Sequence, residues 1–314
     1  MSVPNTAKHA TATATNLHSV IYLNDFSLEV NGVPSPLMPK LLEFRQHWEE
    51  TPFYGQYLIQ IFSSSVFCQI PHAEAEITLG DQYFELAEQL EKAKWYNALG
   101  HYYRFSKNDM EKALDCHKLA LGHSTSSPNT VGRKILCDIS TVMALTGKPV
   151  DAQIHATKAQ EYAECLGDLG GQARALYIQA LCSRILGDFQ EAIEFCQEAR
   201  TVLTTCGLGG GALDLSILVE EAEVHVLKTE YMEAQHIHES IASSVAPGQP
   251  PTYNSTISKV NLGLIHIATG TQLDLVGHDL DAAKDVFKTS FAYPLGVLYC
   301  DMAYADLHLR QGLL

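Results

Sequence analysis

The segment LGDFQEAIEFCQEA, residues 186–199, decides the fold. A Leu-Gly-Asp turn signal precedes Ala192, with Cys196 and Ala199 four and seven positions on, offsets that place small and apolar side chains on one face of a helix. The same arrangement occurs upstream in TGKPVDAQIHATKA (146–159) and SKNDMEKALDCHKLA (106–120), and downstream in KTEYMEAQHIHESI (228–241) and GHDLDAAKDVFKTS (277–290). The anchoring alanines are Ala113, Ala152, Ala192, Ala234 and Ala283, separated by 39, 40, 42 and 49 residues by subtraction. The long last step is read as TQLDLVGH (271–278) inserted between two helices. Internal repetition at such a period is the signature of a solenoid.

Before each turn stands a second helical segment with a small residue where helices must approach closely: Gly100, Ser140, Ala180, Ala222 and Gly263. Helix, turn, helix is the unit. These residues resemble the tetratricopeptide family, best in WYNALGHYYRF…MEKALDCHKLAL and next in LGDFQEAIEFCQEA. Gln179 and Glu221 depart from that pattern, standing where the family has Leu. The resemblance implies an all-α, right-handed superhelical solenoid of antiparallel helix pairs over residues 72–314, with the last repeat incomplete. HSVIYLNDFSLEV, GQARALYIQALCSRILGDFQEAIEFC, VEEAEVHVLKTEYMEAQHIH and YCDMAYADLHLRQG are similar to repeat regions of mushroom-forming fungi that often follow a NACHT or NB-ARC type NTPase. That likeness implies the sensor or scaffold half of a STAND-type system, with an NTPase partner in trans. The chain itself carries no G-x-x-x-x-G-K-[ST] motif.

At the ends, residues 1–16 are read as a disordered tail and 17–71 as a mostly helical cap or start of the array. The last helix, 295–311, presents Leu298, Met302, Ala305 and Leu309 on a face rather apolar for a cap, which points to a truncated gene product or an oligomer contact.

TTCGLGGGALDL (204–215) satisfies a dinucleotide fingerprint through Gly207, Gly209 and Ala212. Such a fingerprint must follow a β-strand, and the preceding AIEFCQEARTVLTTC has helical period. Glycines clustered over 207–211 therefore mark a helix break, with Gly171 at the matching place one repeat earlier. The helix beginning near Ala212 leaves a residual anion-binding possibility through its N–H groups.

The formal net charge of −15 argues against nucleic acid and anionic membrane as partners. No run reaches the ~20 apolar residues of a membrane span. Eight dispersed cysteines without a C-x-x-C pair fit a reduced, cytoplasmic setting. Asn254-Ser255-Thr256 is a glycosylation triplet without meaning there.

No catalytic, cofactor or metal constellation emerges. His236 and His238 point apart on a helix, as do Glu220 and Glu221. His101, His225 and His266 read as interhelical hydrogen bonders or groove residues, and Cys116, Cys182 and Cys196 as buried thiols. The expectation is a non-catalytic scaffold that binds a protein or peptide. Its alternatives are an enzyme with a scattered Cys/His site and a structural homo-oligomer. In the tetratricopeptide family the first helix of each pair lines the concave surface, so the resemblance implies contacts from Asn97, His101, Arg104, Lys134, Arg174, Tyr177 and Arg184. Three Arg and a Lys there suit an acidic or C-terminal carboxylate ligand. The family's chaperone-tail clamp wants Lys and Asn in the first repeat, where this chain has Asn97 and His101.

Overall fold

A computed structural model describes residues 88–105, 107–124, 127–245, 249–289 and 294–312. The expected tail (1–16), N-terminal cap (17–71) and the first residues of the expected array lie outside the described residues. Eleven helices occupy the described part: α1 (Gln89–Phe105), α2 (Met110–His123), α3 (Thr130–Leu145), α4 (Pro149–Leu166), α5 (Leu169–Leu186), α6 (Phe189–Thr205), α7 (Ala212–Leu227), α8 (Tyr231–Ser243), α9 (Tyr253–Thr269), α10 (Leu273–Thr289) and α11 (Pro294–Gln311).

Local chemistry sets the boundaries. Asp109, Asn129 and Asp168 cap α2, α3 and α5 by accepting from the N–H groups of Lys112, Gly132 and Gly171. Pro149 opens α4, where its missing N–H costs nothing, and Thr252 with Ser255 forms a reciprocal capping box on α9. Gly187 closes α5 in the left-handed conformation at φ 87°. Gly167 (φ 64°) and Gly207 (φ 74°) make the turns between repeats, forty residues apart. That pair, rather than Gly171 with Gly211, is the repeating turn. Gly171 lies inside the first turn of α5, where a β-carbon would sit 2.5 Å from Arg133 Nε, whereas Gly211 is the N-cap of α7.

The helices stack as pairs. Each odd-numbered helix from α1 to α9 packs on its partner and on the next odd-numbered helix, while no two even-numbered helices touch among the described residues. The first helices are thus drawn together on an inner face and the second helices fan outward, which curves the array. The anchoring alanines make the pairing close: Ala113, Ala152, Ala192 and Ala234 are fully buried and Ala283 nearly so. Four residues after each comes another buried residue, His117, Ala156, Cys196, His238 or Phe287. The ring of His117 lies against Gly100, and the ring of Phe287 against Gly296.

The core is a row of clusters along this stack, from Ile135, Leu136 and Ile139 through Leu176, Leu203 and Ile217 to Val260, Leu280 and Phe287. Each fully buried Leu, Ile or Phe contributes about 1.5–3 kcal/mol.

The departures from the repeat pattern have partners. Gln179 donates to Gln160 Oε1 at 2.7 Å, and Glu221 lies 3.7 Å from Arg200. TQLDLVGH is not a loop. Residues 273–278 are helical, so ten residues of α10 (273–282) precede Ala283 where three of α8 (231–233) precede Ala234. The seven additional residues lengthen α10 by about two turns. Asn254 is buried and donates to the Ala212 carbonyl at 3.1 Å, joining α9 to α7.

α11 packs on α9 and α10 through Cys300, Ala303 and Leu307. Leu298, Met302, Ala305 and Leu309 are exposed on its other side.

Candidate ligand-binding groove

The inner face is built from polar side chains that first helices hand to one another. On α1, Asn97 and His101 sit one turn apart and both reach α3: Asn97 Nδ2 donates to Asp138 at 3.0 Å, and His101 Nε2 lies 3.2 Å from the same carboxylate oxygen. Because the Asn97 amide nitrogen faces Asp138, its oxygen faces His117, whose Nδ1 donates to it at 2.8 Å. Burial works against the charge of Asp138, but His101, followed by His117 and Arg174, overrides it and holds the carboxyl well below its usual range. Burial lowers His117 to about 4, so this imidazole is neutral at physiological pH.

The middle of the face belongs to α5. Arg174 is exposed, and its field reaches Asp138 and Tyr177. Tyr177 packs against the cores on both sides of it. Burial, then Glu220, pushes its phenol up to about 12 against the opposing fields of Arg174, Arg104 and Arg184. Arg184 spans to α7, where its Nε and Nη2 both engage the Glu220 carboxylate. Glu220 is buried, with 6% of its side chain exposed. One turn later Glu223 accepts from Asn261 Nδ2 of α9 at 2.6 Å. Desolvation raises both carboxyls, and Arg184 offsets this only in part.

The residues expected at the groove thus fall into groups. Asn97 and His101 meet at Asp138; Arg104 lies within electrostatic reach of His117 and Tyr177; Arg174 acts on Asp138 and Tyr177; and Arg184 engages Glu220, whose charge also reaches Tyr177. Lys134 is exposed one turn before Asp138. The face is not uniformly basic: Arg184 is committed to Glu220, and Asp138, Glu220 and Glu223 were missed in the sequence. Glu220 was considered with Glu221, and those two do diverge, Glu221 turning toward Arg200. The converging pair is Glu220 with Glu223, a three-residue spacing that sequence alone offers as one face of a helix.

Among the other candidates, His225 and His266 close their own turns, bonding Glu230 at 2.7 Å and Thr271 at 2.9 Å rather than bridging helices. The glycine segment follows helix α6, and Gly210 N–H donates to Asp214 at 2.8 Å. The carboxylate of Asp214, bonded also to Arg200 at 2.9 Å, occupies the mouth of α7 where an external anion was considered. Burial pushes the thiols of Cys137, Cys182 and Cys300 up to about 11. They are protonated thiols at neutral pH, poor nucleophiles and poor metal ligands. Among the described residues no group of three or more His, Cys, Asp or Glu is placed to hold a metal, and no helix is long and apolar enough to cross a membrane.

Compared with protein-family models and with curated proteins, the sequence matches none. Solved structures are similar in fold. NprR in complex with its cognate peptide NprX shares 13% identity at a TM-score of 0.64, covering 99% of this chain and 85% of NprR. A tetratricopeptide repeat protein from Parabacteroides merdae shares 14% at 0.60, covering 94% and 98%. A signal transduction ATPase with numerous domains and a tetratricopeptide repeat sensor, from Pyrococcus horikoshii, shares 15% at 0.59, covering 95% of this chain but 44% of the ATPase. At these identities the likeness shows the fold alone, and that fold is a tetratricopeptide-like helical solenoid.

Proposed function

We propose that the array is a non-catalytic cytoplasmic scaffold that holds a peptide or an extended segment of a partner protein along its concave face. The carrying observation is the run of polar side chains on five first helices, linked from α1 to α3 by Asn97 and Asp138, from α5 to α7 by Arg184 and Glu220, and from α7 to α9 by Glu223 and Asn261. Preformed, hydrogen-bonded side chains bind without losing much further rotamer freedom, which favours recognition of a segment by many modest contacts. The similarity to NprR, solved with a cognate peptide, supports a peptide ligand. The similarity to an ATPase with a repeat sensor supports a finer reading, the sensor or regulatory part of a STAND-type NTPase system. Asn97, His101, Arg104, Lys134, Arg174 and Tyr177 are the proposed contacts, with Arg184 acting through Glu220.

The test uses a degenerate nonapeptide library selected on the full chain and on a Lys134→Glu/Arg174→Glu variant whose helicity is checked by circular dichroism. Enrichment on the parent chain, lost in the folded variant, is expected. Equal enrichment on both would move the binding surface off the inner face.

A second reading rests on the exposed side chains of α11, Leu298 at 53%, Met302 at 58% and Leu309 at 63%. Self-association through this face predicts a dimer in light scattering that Met302→Glu dissociates, and a monomer for the parent chain at tens of micromolar would end it.

A further inference from the structure

We infer that α11 pairs with α11 of a second copy of this chain, antiparallel about a two-fold axis, with Leu298 against the partner's Leu309 and Met302 against the partner's Ala305. The inference rests on the second reading above, self-association through α11, and adds the direction, the register and the polar contacts of that pairing.

The open face of α11 has an order of its own. Leu298, Met302, Ala305 and Leu309 follow one another at steps of 4, 3 and 4 residues, the spacing of a coiled-coil seam. All four are exposed, whereas Cys300, Ala303 and Leu307 bury the opposite side of the helix against α9 and α10. The spacing reads the same in both directions, which suits an isologous contact, where two identical patches meet. Reversed against itself, the seam sets Met302 opposite the partner's Ala305, a long side chain against a short one, and closes with a Leu298–Leu309 contact at each end. A parallel pair would crowd Met302 on Met302 and leave Ala305 facing Ala305 across a gap without dispersion contacts.

The flanks choose the same direction independently. Asp301 and Asp306 border the seam on opposite sides. In a parallel pair the flanking positions five residues apart meet, so Asp301 would face the partner's Asp306, like charge against like. In the antiparallel pair Asp301 comes beside the partner's His308, and Asp306 beside the partner's Tyr299. An imidazole and a phenol can each donate to a carboxylate. Asp301 is half exposed and ion-pairs with Lys284 of α10, so its carboxylate is positioned with lone pairs to spare. Tyr299 is half exposed. His308 is stacked on Tyr304, and its Nδ1 is buried without a hydrogen-bond partner among the described residues.

Complementary charges in the seam test this. The full chain and two variants, Met302→Glu and Ala305→Lys, are compared by light scattering and sedimentation equilibrium at tens of micromolar, with helicity checked by circular dichroism. The parent is expected to be a dimer. Each variant alone is expected to dissociate about tenfold or more readily, since it sets an unmatched charge into the apolar contact. An equimolar mixture of the two is expected to return to within a few-fold of the parent, because the carboxylate at 302 of one chain then meets the ammonium at 305 of the other. A mixture that stays monomeric beside a dimeric parent, or an Ala305→Lys chain that dimerises as tightly as the parent, overturns this register and leaves self-association standing. A monomeric parent, or a dimer that Met302→Glu leaves intact, overturns the second reading and this inference with it.

Discussion

Replacing Arg184 with Met separates the two roles this arginine has, groove residue and structural counter-ion. The change removes both nitrogens from Glu220, whose side chain is 6% exposed and whose carboxylate has no second cation within bonding distance among the described residues. Breaking a buried pair from one side costs about 3–5 kcal/mol, because the remaining charge is desolvated without compensation. Against a total stability of about 5–15 kcal/mol for a folded domain, that is a large fraction. Glu220 has an escape, protonation, and its pKa already lies above its ordinary value in the folded chain. A carboxyl whose folded pKa exceeds its unfolded pKa binds more protons when folded, so stability increases as pH falls and is lost as pH rises through the folded value. The Arg184→Met variant should therefore be much weaker than the parent at pH 8 in urea unfolding and recover part of the difference at pH 5.5. The double variant Arg184→Met/Glu220→Met should regain most of the loss at both pH values. A single-variant cost below about 1 kcal/mol with no pH dependence, the behaviour of an exposed pair, would refute the placement of this pair.

Three other predictions probe the frame. Gly100→Ala puts a β-carbon about 2.5 Å from His117 Nδ1, so it should cost about 1–3 kcal/mol by overpacking; adding His117→Ala should ease that clash, and additivity of the two would count against it. Thr229 is a β-branched residue at φ 63° in the α7–α8 turn, where Gly or Asn is at ease; Thr229→Gly should raise the urea midpoint by the equivalent of a few tenths to 1 kcal/mol, and a lower midpoint would contradict the strain. His238 is fully buried and burial lowers its pKa to about 4. Its stabilising contribution is complete above the unfolded value near 6.5 and declines as pH falls toward 4, by roughly 3 kcal/mol in all; His238→Phe, matching Phe287 at the equivalent position, should flatten the stability profile over that window, and an unchanged slope would show that another group is responsible.

The frame was legible because its cause is local and repeats. Ala113, Ala152, Ala192 and Ala234 are small for the same reason in every repeat, a neighbouring helix at short distance. What misled was punctuation. TQLDLVGH was read as an insertion between helices, yet seven residues make almost two whole turns, so they extend α10 without disturbing the face that carries Ala283. Gly171 resembled a turn glycine but makes room for Arg133, which ion-pairs with the N-cap Asp168 at 2.9 Å. The groove was half legible. Helix period alone assigns Asn97, His101, Arg104, Arg174 and Tyr177 to first helices, but which acid each would meet depends on the stagger between repeats, a tertiary quantity. Asp138 and Glu220 sit among buried positions, where a single sequence shows charged residues without showing their partners.

The central claim is that the inner face is the binding face, and hydrogen exchange measured with and without a library-selected peptide tests it most directly. The account predicts slowed exchange in α1, α3, α5, α7 and α9, with α2, α4, α6 and α8 little changed. Protection concentrated in the even-numbered helices or confined to α11 would contradict it.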